Sequence, residues 1–148
     1  MKKLLFSLLV LGLGALVAPV SARADDGEFT VADVRGSYGF SWDGTIVPPA
    51  SGSAVPAAAV GLLVADGQGN FTESVRILSV NGSVSRQTAT GMYTVNRNGT
   101  GSATFHVTFG PGVVRTETFD FVIVNNDREA HFIGTDPGVV IRGVAIKQ

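Results

Sequence analysis

The 148-residue chain contains no cysteine. Disulfides, thiolate nucleophiles, cysteine-ligated metals and lipid attachment at a cysteine are all excluded by that absence. Histidine is scarce as well, with two residues, His106 and His131. Each falls on a strand face opposite the aromatic residues of its own segment, and the two segments are not neighbours along the chain. They do not pair as metal ligands, and neither a metal nor another cofactor is expected. Basic residues number 11 against 12 acidic ones, without the clusters of Lys and Arg that nucleic acid or an anionic surface requires. Nucleic-acid binding is set aside. The chain also lacks a nucleophile elbow, a phosphate-cradling glycine loop and paired acids at a legible spacing, so no catalytic residue is assigned.

What is present begins with Lys2 and Lys3, an apolar run over 4–17, then Pro19 and the small-x-small triplet Ala22-Arg23-Ala24. This is the pattern of a secretory signal peptide over 1–24. The run is short against the roughly 20 residues of a bilayer span, so no membrane anchor is expected after cleavage. Removal leaves a single domain, 25–148, with eight basic and twelve acidic residues. It is expected in the periplasm or outside the cell.

The most legible stretch is 88–126, where three strand-length segments are joined by turns at Asn98-Gly99 and Gly110-Pro111-Gly112. Asn and Gly tolerate the positive φ of a hairpin, and Pro fixes φ while removing a ladder donor. The same grammar gives strands at 34–43, 57–65, 71–80, 83–95, 100–109, 113–124, 128–134 and 139–147. Asp66-Gly67-Gln68-Gly69-Asn70 reads as a hairpin turn, since a calcium loop would need further carboxylates. One long connection, 44–56, holds three of the six prolines. Eight strands joined mostly by short turns, with no helical period, predict an all-β, eight-stranded antiparallel up-and-down barrel; a sandwich would need longer Greek-key connections.

Alternation assigns Tyr38, Phe40, Trp42, Val75, Ile77, Tyr93, Phe105, Phe109, Phe119, Phe121 and Phe132 to the interior. An eight-stranded barrel is filled by its own side chains or holds one small ligand. So many rings leave room only for a small apolar cavity near one mouth. The candidate ligand-binding residues are Tyr38, Trp42, Tyr93, Phe105 and Phe119, with Arg115 and Glu117 on the same face at the barrel end. A cross-strand ion pair on the rim is the competing account of the two charged residues. Val114, Val122 and Val124 point outward, and Val122 and Val124 form either a homodimer contact or a seat for Phe29 and Val31 of the N-terminal segment.

Gly36-Ser37-Tyr38, the 65–70 turn, Gly91-Met92-Tyr93-Thr94-Val95 and the closing Gly143-Val144-Ala145-Ile146-Lys147-Gln148 together resemble a group of small exported bacterial proteins with no assigned activity. More distantly, Gly36-x-Tyr38 resembles the Gly-x-Trp that opens lipocalins and avidin-like barrels, with Tyr in place of Trp. The resemblance implies a calycin-like barrel that binds small apolar molecules, with Arg142 matching the basic residue that lipocalins pack over that Trp. Biotin binding is not implied, because Trp42 is the only tryptophan. Three readings of function follow: a binding protein for a small apolar ligand, a self-associating structural module with a filled core, and an enzyme in the manner of calycin-like cyclases.

Overall fold

The computed structural model describes residues 28–48 and 52–148. The signal-peptide reading of 1–24 lies outside the described residues. A single 3-10 turn, Val31–Val34, precedes eight strands: β1 Gly36–Ile46, β2 Val55–Ala65, β3 Asn70–Val80, β4 Ser83–Val95, β5 Thr100–Gly110, β6 Val113–Val124, β7 Glu129–Gly134 and β8 Val139–Lys147. Each strand pairs with its predecessor, and β8 returns antiparallel to β1, closing the barrel. Closure leaves no sheet edge for another chain to extend.

The turns follow their residues. Asn81 and Gly82 both have positive φ, 46° and 82°, the requirement of a two-residue hairpin twisted with its strands. Asn98-Gly99 works differently: Gly99 alone has positive φ, 82°, while Asn98 accepts hydrogen bonds from the Thr100 backbone N–H and hydroxyl. The 44–56 connection is shorter than its prolines suggest, because β1 runs on to Ile46 and pairs with Val55 at the start of β2. Asn125, Asn126 and Asp127, between β6 and β7, take positive φ in succession.

The two ends of the barrel differ. At one, the 3-10 turn, the 66–69, 96–99 and 125–128 connections and the C-terminus come together. At the other lie Ile46, Val55 and the turns after β3, β5 and β7. Phe29 seats the N-terminal segment at the first end: its backbone N–H donates to Arg97 O at 3.0 Å and its ring covers Gly99.

Two bulges set the faces. In β3, Ala65 pairs with Phe71 but Val64 with Glu73, and Gly91 pairs with Phe71 but Ala89 with Ser74. The extra residue at Thr72-Glu73 shifts alternation by one, since the side-chain period of a strand is two. Phe71 points inward, and after the bulge Ser74, Arg76 and Leu78 do so. The inward assignment of Val75 and Ile77 is therefore wrong: they are 39% and 40% exposed on the outer wall. In β5 the register shifts between Thr108 and Gly110, leaving Phe109 at the rim.

Four interior positions are glycines facing a phenylalanine on the next strand: Phe40 with Gly61, Gly91 with Phe105, Gly101 with Phe121 and Phe132 with Gly143. A Cβ at any of the four would press on both that phenylalanine and a neighbouring strand's carbonyl. The rings thus lie over bare backbone along the wall instead of projecting across the lumen, which keeps the interior open despite its aromatic content.

Candidate functional site

The lumen retains a cavity of about 90 Å³, counted as space open to the centre of a water molecule. One water needs roughly 10–15 Å³ on that measure, so the space is large enough for a small organic molecule. Its walls are aromatic. Phe71 stacks on Phe105 at 4.7 Å between ring centroids, Phe119 meets Phe105 edge-on at 6.0 Å, and Phe132 meets Phe119 at 5.6 Å. These are the offset and T-shaped distances at which ring quadrupoles attract. Phe40, Phe121, Tyr38 and Trp42 complete the lining together with aliphatic and small residues.

A polar network lies on the same wall. The Arg76 guanidinium donates from Nη1 and Nη2 to the two carboxylate oxygens of Glu117, both at 2.6 Å, and from Nε to Gln87 Oε1 at 2.7 Å. Gln87 Nε2 then donates to Ser85 Oγ at 3.2 Å, and the guanidinium lies 5.8 Å from the centre of the Trp42 ring. The Arg76 side chain is 9% exposed and that of Glu117 21%. Charges so far from water persist only when paired and hydrogen-bonded. Here the fork-to-fork geometry satisfies both carboxylate oxygens. No buried polar side-chain atom lacks a partner among the described residues.

At the opposite end the lining includes Asp33, Asp127 and Glu129. Asp33 is held by Thr30, whose backbone N–H and hydroxyl donate to Oδ2 at 2.7 and 2.9 Å. Glu129 lies 2.9 Å from His131 Nε2. Burial pushes the Tyr38 phenol up to about 12, with the Tyr93 phenol and then the Asp127 and Asp33 carboxylates adding to the effect. The Lys147 ammonium stands 5.9 Å from the centre of the Tyr38 ring. Arg142, expected to pack over Tyr38, is instead exposed on the outer wall opposite Asp43.

Of the residues expected at the site, Tyr38, Trp42, Phe105, Phe119 and Glu117 line the cavity, whereas Tyr93 and Arg115 do not. Tyr93 is buried, but its hydroxyl is engaged in closing the end of the barrel: it donates to Val31 O at 3.0 Å and accepts from Gly67 N–H at 3.1 Å. Arg115 is exposed at the rim, its guanidinium 5.0 Å from the centre of the Phe109 ring. Glu117 forms its cross-strand ion pair with Arg76 of β3, across the lumen, and Arg115 takes no part in it. Nor do Tyr38, Trp42 and Tyr93 gather at one mouth. Trp42 lies toward the Ile46 end of β1, while Tyr38 and Tyr93 lie toward the 3-10 turn at the other end.

Arg76 and Gln87 were not expected at the site. The signal for Arg76 was the adjacent polar pair Thr72-Glu73 directly after inward Phe71, which marks the bulge that turns Arg76 inward. Gln87 shares its alternation with Tyr93 on β4 and was legible by parity alone. His106 and His131 are exposed on strands separated by β6. No group of three or more His, Cys, Asp or Glu side chains could hold a metal ion, and no helix is long and apolar enough to cross a membrane, among the described residues.

The geometry defines a closed eight-stranded antiparallel barrel with an aromatic lumen and a buried, internally neutralised charge network. Comparison of the chain with protein-family models, with curated proteins and with solved structures finds no match in any of the three.

Proposed function

We propose that this protein is an exported binding barrel that holds a small, mainly apolar molecule in its lumen. The observation that carries the reading is the cavity itself. Four phenylalanines laid over glycines keep about 90 Å³ of aromatic-walled space open, where a close-packed core would hold few voids larger than a water. Export is supported by the Lys2, Lys3, 4–17 and Ala22-Arg23-Ala24 pattern of the sequence. Native mass spectrometry of protein taken from its producing cell, before and after denaturation, tests the reading. A small-molecule adduct released on denaturation is the expected result. A lumen that admits no small apolar probe under titration counts against it.

A second reading, a self-associating module, is favoured by a different observation. Val60 pairs with Ile77 and Leu62 with Val75 across β2 and β3, and Val60, Ile77 and Val75 are exposed on the outer wall. Contiguous exposed apolar surface marks contact sites more often than scattered residues do. Sedimentation equilibrium showing a monomer at millimolar concentration excludes it.

A further inference from the structure

Resting on the binding reading, we infer that the lumen selects an uncharged molecule whose apolar body lies against the phenylalanines and whose hydrogen-bond acceptor, such as a carbonyl or ether oxygen, meets Arg76. The guanidinium has five N–H groups. Three are engaged, two by Glu117 and one by Gln87. The other two, one each on Nη1 and Nη2, have no acceptor among the described residues. Arg76 lines the cavity with its side chain nine-tenths buried, so a ligand acceptor there gains a charge-assisted hydrogen bond in a poorly hydrated place.

Charge decides against the alternatives. Glu117 already neutralises Arg76, so a carboxylate ligand would bring a second negative charge to a site holding a single cation, with Asp33 and Asp127 elsewhere on the same lining. An amine placed at the network would meet the guanidinium itself. A pure hydrocarbon would fit the rings but leave the two N–H groups without a new partner. A neutral acceptor alone satisfies the aromatic wall and the network together.

Four probes on one ring frame test this in the full folded protein: acetophenone, ethylbenzene, benzoate and benzylamine, each titrated by calorimetry and checked by ligand-observed NMR. The expected ranking is acetophenone at least tenfold tighter than ethylbenzene, with benzoate and benzylamine weaker than both. In Arg76→Met/Glu117→Met the preference for acetophenone over ethylbenzene falls below threefold while ethylbenzene is retained. The wild-type ranking stands as the test even if the double variant fails to fold. Ethylbenzene equal to acetophenone, or benzoate binding best, overturns the neutral-acceptor inference while leaving the binding reading intact. Benzylamine binding best also overturns it and assigns selectivity to Asp33 and Asp127. Binding of none of the four overturns both.

Discussion

Replacing Glu117 with Met removes the carboxylate and leaves the Arg76 guanidinium in the lumen with its side chain 9% exposed. Breaking a buried pair by deleting one partner costs about 3–5 kcal/mol, because the remaining charge is uncompensated. Since the Glu117 side chain is 21% exposed, water reaches the gap and the lower figure applies, about 3 kcal/mol. For a domain of this size that lowers Tm by roughly 12 °C, at about 4 °C per kcal/mol. Arg76→Met alone strands the carboxylate and costs about 2–3 kcal/mol on the same reasoning. The double variant removes both charges, and Met fills irregular space well, so its stability falls within about 1 kcal/mol of wild type. Urea unfolding followed by the fluorescence of Trp42, the only tryptophan, measures all four species, and the m-value is expected to stay constant. The cycle then gives a coupling energy of about 4 kcal/mol or more, the signature of residues acting as a unit. A Glu117→Met variant within about 1 kcal/mol of wild type, or a double variant as unstable as the two single costs added, refutes the account of a buried network.

Tyr93→Phe removes the hydroxyl that bonds both Val31 O and Gly67 N–H; a loss of about 1–3 kcal/mol is expected, with limited proteolysis showing faster cleavage ahead of β1. At high pH, the Tyr38 phenol is raised from its ordinary 10.0 to about 12, so its contribution is complete below pH 10 and is lost as pH climbs through 12. Chemical unfolding across pH 9 to 12 is expected to show that loss, and Tyr38→Phe to make the profile flatter. Gly143→Ala places a Cβ against the Phe132 ring, Trp42 Cβ and Ser41 O, so a cost of about 1–3 kcal/mol is expected from overpacking. Measured stability equal to wild type contradicts the close approach of the two strands.

The barrel was legible because its turns are written in residues with few alternatives: Asn81-Gly82 admits little besides a tight hairpin, and eight such segments without a helical period leave few topologies. The aromatic part of the site was legible for the same reason, since Tyr38, Trp42, Phe105 and Phe119 obey strict alternation. Its polar part was not. Arg76 was hidden by one extra residue at Thr72-Glu73, a local event that exchanges the faces of everything after it on the strand. Val75 and Ile77 make the misreading natural, because they look like core and instead cover the outside. The partner of Glu117 was not legible for a related reason: alternation places residues on a face, but contact across a lumen depends on strands β3 and β6, which are not neighbours in the sheet.

The pairing of β1 with β8 also bears on when the molecule can become whole. Tyr38 lies opposite Lys147 and Ile46 opposite Val139, so the seam joins residues from nearly the two ends of the described chain. Seven of the eight ladders connect successive strands and can form before the eighth strand docks, whereas this seam waits for the nine residues of β8, 139–147. Long-range pairings of this kind slow folding, because the loop entropy is lost before the contact is gained. Until that moment β1 presents an open flank, and the lumen has a gap where Ile141 and Ala145 belong. Docking of β8 against β1 is therefore the event that completes the container.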